Sequence, residues 1–168
     1  MERKSRRKSG KGCDIPYLDA TPDEHAQEYL EAIWMIHERT QGIARISAIS
    51  HKLGVAPPSV VEMLRRLEKS GNLEYRAREG IKLLAKGRKV GRTMVRNGRL
   101  AEVFMKETLH IPIDSKVACG IEHHLTERFA DALCTLLNHP NECPHGYAIP
   151  QGKCCRVVKP TAKLGQSR

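Results

Sequence analysis

The segment Cys119-Gly120-Ile121-Glu122-His123-His124 is where this 168-residue chain most clearly carries residues that could do chemistry. Positions i, i+3 and i+4 of a helix share one face. A helix here therefore sets the Cys119 thiol, the Glu122 carboxylate and the His123 imidazole side by side. Sulfur, oxygen and nitrogen donors together suit a borderline transition ion better than calcium or magnesium. Glu28 and Glu31 form a matching pair at i, i+3 in a stretch that reads as the first helix. Each set also has a plainer reading: a helix with one core cysteine and solvated Glu and His, and a solvated acidic face.

There are six cysteines, Cys13, Cys119, Cys134, Cys143, Cys154 and Cys155. The basic N-terminal run has no apolar stretch behind it and does not read as a signal peptide. The expectation is a cytoplasmic protein whose thiols are ligands, sensors or core residues rather than a disulfide framework. Cys143, His145, Cys154 and Cys155 bring four metal-capable side chains into a short C-terminal stretch. They are a candidate second metal or redox site, and Zn(II) is the ion such a set fits. The spacing is not that of a standard finger or ribbon, and adjacent cysteines seldom share one ion. The competing reading is a Pro- and Gly-rich tail with reactive thiols. Cys134 has the spacing of a core residue, and Cys13 lies in the N-terminal tail.

Charge is distributed in blocks. The chain has 29 Lys and Arg against 19 Asp and Glu, net +10. Residues 1–12 and 151–168 each carry net +5, residues 13–38 net −7, residues 39–99 net +11 and residues 100–150 net −4. A basic module thus lies between two acidic segments. Basic surface suits the phosphate backbone of a nucleic acid, and clustered carboxylates suit cations. No run approaches the ~18 apolar residues that a membrane helix needs. Aromatics are only 4% of the residues, so the core must be aliphatic.

These donors need elements to hold them. Thr21-Pro22-Asp23-Glu24 is a helix start, with an N-cap, Pro in the first turn and early acids. The helix should run to about Arg39 with Tyr29, Ile33 and Ile36 on one face. A second helix is expected from about Ser47 to Leu53, with Gly54 as its stop. A third follows Ala56, with Val60, Met63, Leu64 and Leu67 at helical spacing until Ser70-Gly71. Two short strands, 73–76 and 81–84, come next. Three helices and a hairpin, in that order, are a winged helix-turn-helix with 57–69 as the recognition helix. The pattern then turns helical to about Leu109, and breaks at 110–114. Further helices follow over about 115–123 and 127–137.

Glu28-Tyr29-Leu30-Glu31, Gly42 to Ser47, Val55 to Val60, the wing through Lys86-Gly87, Arg99-Leu100-Ala101-Glu102, Ile121-Glu122-His123-His124 and Asn138-His139-Pro140 form a spaced set of motifs. In these stretches the chain resembles the diphtheria toxin repressor family of metal-dependent regulators, which includes the iron-dependent repressors and the manganese transport regulator. The motifs run in family order over about 21–150. The implied fold is mainly α, a winged helix-turn-helix followed by an α-helical dimerisation and metal-binding domain. The implied divisions are a basic tail at 1–20, a DNA-binding domain at 21–86, a dimerisation and metal domain at 87–140, and a Cys- and Pro-rich basic tail at 141–168. The resemblance implies a short form, and the SH3-like domain of longer members is not expected in the 18 residues after Pro150.

The resemblance places metal ligands at Glu28, Glu31, Cys119, Glu122 and His123. Manganese-type members have a carboxylate where this chain has Cys119, and iron-type members have a cysteine. Fe(II) is therefore expected ahead of Mn(II). A family histidine would fall at Gly98 and another at Ser115, so Glu102 alone remains of the ancillary site. The implied partners are a second copy of the chain and a two-half-site DNA operator. Ala56, Pro57, Pro58, Ser59 and Glu62 are the candidates for base contacts. Arg45, Ser47, Arg65, Arg76 and Arg78 are the candidates for phosphates. The expected function is a metal-activated repressor of metal-homeostasis genes, not an enzyme. A metal-independent regulator that senses oxidants through thiols is the alternative. A metallohydrolase built on the Glu-His-His run would need a pocket and a general base, and no further motif supplies them.

Overall fold

The computed structural model describes residues 22–40, 43–76 and 79–156. The N-cap expected at Thr21, together with Cys13, Arg78 and the basic runs at 1–12 and 157–168, lies outside the described residues.

Helix α1 spans Pro22–Thr40. Its Tyr29, Leu30, Ile33 and Ile36 recur at helical spacing and are all buried, giving the helix the apolar stripe that docks it. Helix α2, Ile46–Leu53, stops at Gly54, whose φ of 66° lies in the left-handed region where a Cβ is unfavourable. Helix α3, Pro57–Lys69, starts with proline in its first turn and buries Val60, Leu64 and Leu67. Strands β1 (Leu73–Arg76) and β2 (Gly80–Leu83) pair antiparallel, with Leu73 opposite Leu83 and Arg76 opposite Gly80. The second strand starts and ends one residue earlier than expected. Leu84 N–H still bonds Asn72 O at 3.0 Å in the same register, but Leu84 is already the N-cap of the next helix, and this ends the strand. A single bridge from Ala44 to Ile81 adds to the base of the wing.

Helix α4, Ala85–Val103, runs on into a wider π-helical turn, Phe104–Thr108. Asp114 then caps α5 (Ser115–Glu122), accepting from the N–H groups of Lys116 and Val117 at 2.9 and 3.2 Å. Thr126 caps α6 (Glu127–Leu136) through the Phe129 N–H. Two apolar clusters result. The first joins Tyr29, Leu30 and Ile33 of α1 to Ile49, Val60, Leu64 and the wing residues Leu73, Ile81 and Leu83. The second joins Leu100 and Val103 of α4 to Ala130, Leu133 and Cys134 of α6, together with Cys143 and Ile149.

The segment expected as a tail from residue 141 is instead packed onto the body through Cys155. Cys143 and Ile149 are buried in the second cluster. Arg99 donates to Ala148 O, Arg92 donates to Gln151 O, and a short turn forms at Cys154–Arg156. Two well-spaced apolar residues suffice to dock a stretch whose average composition is polar.

Helix α4 meets both clusters, and its approach to α1 depends on glycine. A Cβ on Gly91 would lie 2.5 Å from Leu30 O and 3.1 Å from Trp34 Cβ. The first obstacle is helix backbone, which cannot rotate away. Gly91→Val is expected to lower the unfolding free energy by about 2 kcal/mol through overpacking, as read by urea denaturation. An unchanged midpoint would mean that α1 and α4 can separate freely.

Candidate functional site

Helix α5 places Cys119, Glu122 and His123 on one face, as their spacing requires, and that face meets α1. One donor atom each from Glu28, Cys119 and His123 lies within 4.8 Å of the others. Cys119 Sγ is 3.9 Å from His123 Nε2, and Glu122 Oε1 is 3.8 Å from the same nitrogen. Glu31, one turn along α1 from Glu28, hydrogen-bonds the Glu122 carboxyl. His124 approaches Glu24 at 4.0 Å, a further contact between the two helices.

The electrostatics favour a cation. Glu122 is only 4% exposed. Burial, then the charge of Glu31, push its carboxyl up to about 9. Burial likewise raises Glu31. Cys119 is pushed up to about 11, by burial first and then by Glu122, Glu28 and Glu31. Burial therefore favours a proton on the Glu122 carboxyl and on the Cys119 thiol, and a bound cation would replace them. His123 is lowered by burial and stays neutral. Its Nδ1 lies 2.9 Å from Gln27 Oε1. A donated Nδ1–H leaves the Nε2 lone pair facing Cys119, the support that metal-ligating histidines usually have. Gln27 has no signal in the sequence, because an amide beside Glu28 is an ordinary helix residue.

Gly98 and Glu102 explain two departures from the expected pattern. Glu122 Oε2 fills the space at Gly98 where a Cβ would stand, so a side chain there would displace the carboxylate. Glu102 does gain partners, but from the C-terminal segment. His145 Nδ1 is 3.2 Å from Glu102 Oε2, and Cys143 completes a group of three within 4.8 Å. A cavity of about 530 Å³ connects the two sets, lined among others by Glu28, Glu31, Cys119, Glu122, Glu102 and His145. The donor set fits a divalent transition ion: a thiol, a neutral imidazole and several carboxylates on two helices.

The four C-terminal donors expected together are divided between two places. Cys143 and His145 face Glu102, while Cys154 and Cys155 gather with Cys134 and His139. Cys134 is buried, as its spacing implied, but it also joins that second group. Sequence separation misled here because the intervening loop folds back and the turn at Cys154 lies over α6.

On the winged helix, Ala56, Pro57, Pro58, Ser59 and Glu62 are all exposed at the start of α3, and Arg45, Ser47 and Arg65 are exposed nearby. Arg76 is not a free charge: it pairs with Glu74 at 2.7 Å and Glu79 at 3.0 Å. These pairs are solvent-exposed and weak. At the other end, Phe129 (58% exposed) and Leu136 (64%) join Val117, Ile121, Leu109 and Ile111 around an apolar groove. Continuous apolar surface of this kind is the sort at which proteins bind one another or a ligand.

A winged helix joined through α4 to a helical domain, with a thiol–imidazole–carboxylate centre where α1 meets α5, defines a metal-responsive DNA-binding regulator. Residues 23–81 match the iron-dependent repressor N-terminal DNA-binding domain, and residues 85–151 match the iron-dependent repressor metal-binding and dimerisation domain. The chain belongs to the iron-dependent repressor family, whose members are DNA-binding, dimerising regulators rather than enzymes. It is 38% identical over 125 residues to the HTH-type transcriptional regulator MntR of Shouchella clausii, covering 72% of this chain and 85% of that one. It is 33% identical over 122 residues to MntR of Bacillus subtilis, covering 69% and 82%. Among solved structures, it is similar to a manganese-dependent transcriptional repressor in complex with manganese (TM-score 0.68, 28% identity, 75% of this chain and 58% of that one). It is also similar to the IdeR of T. acidophilum (TM-score 0.64, 26% identity, 86% and 66%). Among the described residues no helix is long and apolar enough to cross a membrane.

Proposed function

We propose that this regulator is a cytoplasmic repressor of metal-homeostasis genes, activated by Fe(II) held between Glu28 and Glu31 of α1 and Cys119, Glu122 and His123 at α5. The observation that carries the choice of metal is Cys119. A thiol within 4.8 Å of donor atoms of His123 and Glu28 suits Fe(II) better than Mn(II), which prefers all-oxygen and nitrogen sets. A bound cation would supply charge neutralisation to the Glu31–Glu122 pair. The chain's own residues then do the rest: α1 and α5 are drawn together, and α1 carries the winged helix with it. Two copies joined at the apolar face of Phe129 and Leu136 would present two recognition helices at a fixed spacing. Ala56, Pro57, Pro58, Ser59 and Glu62 would face the bases, with Arg45, Ser47, Arg65, Arg76 and Arg78 on the phosphates.

Mn(II) is the second reading, favoured by the manganese regulators among the relatives and by the three carboxylates of the centre. Oxidant sensing at Cys119 has less support, since its thiol ionises only near 11 and reactive cysteines are thiolates.

The test is anaerobic binding to randomised DNA duplexes with Fe(II), Mn(II), Zn(II) or a chelator. Sequence-selective binding should appear at lower Fe(II) than Mn(II) concentration and vanish with chelator. The reverse order of metals assigns Mn(II). Binding that survives the chelator overturns metal activation.

A further inference from the structure

Cys134, His139, Cys154 and Cys155 form a second cluster, on elements other than those of the α1–α5 centre. Their four donor atoms all lie within 4.8 Å of one another. Cys134 comes from α6, His139 follows its end, and the two remaining cysteines come from the turn at Cys154–Arg156. We propose that this cluster is a closed structural zinc site, with a Cys3His ligand set, that fastens the C-terminal segment onto α6.

The spacing of the donors matches the ion. Zinc binds thiolate at about 2.3 Å and imidazole at about 2.0–2.1 Å in tetrahedral geometry. A tetrahedron of those dimensions has sulfur–sulfur edges of about 3.8 Å and sulfur–nitrogen edges of about 3.6 Å. The structure has Cys134 Sγ 3.6 Å from Cys155 Sγ, Cys154 Sγ 3.7 Å from Cys155 Sγ, and Cys134 Sγ 3.6 Å from His139 Nδ1. The adjacent cysteines 154 and 155, awkward on paper, span one such edge because the tight turn points both side chains to the same side.

Two further observations point the same way. Asn138 and His139 both adopt left-handed backbone, with φ of 58° and 54°. They close α6 in a left-handed cap, with His139 N–H bonding Cys134 O at 2.8 Å, and this turn carries the imidazole back to Cys134. Three thiolates and one zinc ion carry a net negative charge, which needs a compensating cation in a partly buried place. Arg96 is 5% exposed and sets Nη2 3.4 Å from Cys154 Sγ and 2.8 Å from Asp131. Four protein ligands leave no open position, so the site is structural rather than catalytic or sensory.

The experiment uses the full chain purified without added metal. Zinc content by elemental analysis is expected at one equivalent per chain in the wild type, and in Glu122→Gln, which leaves this cluster intact. Cys155→Ser and His139→Ala are each expected to lose zinc. Replacement by Co(II) in the wild type provides a readout that needs no variant. Strong thiolate-to-cobalt charge transfer with tetrahedral visible bands should appear, with the intensity of three thiolates rather than the single Cys119. Any one of three results overturns the proposal: a wild-type chain that holds no zinc, zinc lost from Glu122→Gln but kept by Cys155→Ser, or a Cys134–Cys155 disulfide in place of the metal.

Discussion

Glu122→Gln is expected to stabilise the metal-free protein at neutral pH while abolishing metal-activated DNA binding. The Glu122 carboxyl has an ordinary value of 4.5 and is pushed up to about 9 in the fold, by burial and by Glu31. Between those two pH values the folded chain holds a proton that the unfolded chain has released. Stability from this group is therefore full below pH 4.5 and is lost as pH rises through about 9, at ~1.4 kcal/mol per pH unit for one proton. Glutamine presents the neutral form at every pH, and its amide can donate to Glu31. At pH 7 the gain should be about 1–3 kcal/mol. Urea denaturation in chelator at pH 6, 7, 8 and 9 reads the effect as two curves that diverge with pH. Parallel curves would mean that Glu122 is ionised in the metal-free fold. The same substitution removes a charged donor from the centre, so a variant more stable without metal should no longer respond to it. Gain of stability with loss of response separates this outcome from simple misfolding.

Arg99→Ala is expected to lower stability by about 3 kcal/mol. Arg99 is 5% exposed, and both its terminal nitrogens bond the Glu38 carboxylate at the end of α1. It also donates to Ala148 O, and its guanidinium lies 5.4 Å from the centre of the Tyr147 ring. One side chain thus joins α1, α4 and the C-terminal segment. Removing one partner of a buried ion pair costs about 3–5 kcal/mol. The Glu38 side chain is 30% exposed and can rehydrate, which places the loss at the low end. Lysine should recover less than half, because a point charge cannot reproduce the two parallel bonds or the stacking. The check is chemical denaturation of the Ala and Lys variants beside the wild type. A loss under 1 kcal/mol, or full rescue by lysine, would show that the fork geometry is not what holds these three segments.

The two predictions depend on information of different kinds, and so did the sequence reading. The winged helix was legible because each of its parts is local: apolar residues at helical spacing in α1 and α3, Gly54 at a left-handed stop, proline at the start of α3, and two short strands around a turn. The single-residue shift of β2 arose at Leu84, which serves as the N-cap of α4 and so ends the strand. The face of α5 was legible for the same local reason, since helical periodicity alone aligns Cys119, Glu122 and His123.

Residue types and near-neighbour spacing, with the motifs that carry the family resemblance, by themselves determined the fold class, the placement of a donor set on α1 and α5, and a basic module for DNA. Tertiary structure alone decided which distant groups share a space. It set Glu122 into the gap at Gly98 and placed Gln27 behind His123. It buried Arg99 against Glu38, and it split the C-terminal thiols, giving Cys143 and His145 to Glu102 and Cys154 and Cys155 to Cys134 and His139. The physical reason is range. Helix and turn propensities act over a few residues, whereas burial, pKa shifts and metal-sized clusters are set by packing between segments that the chain keeps tens of residues apart.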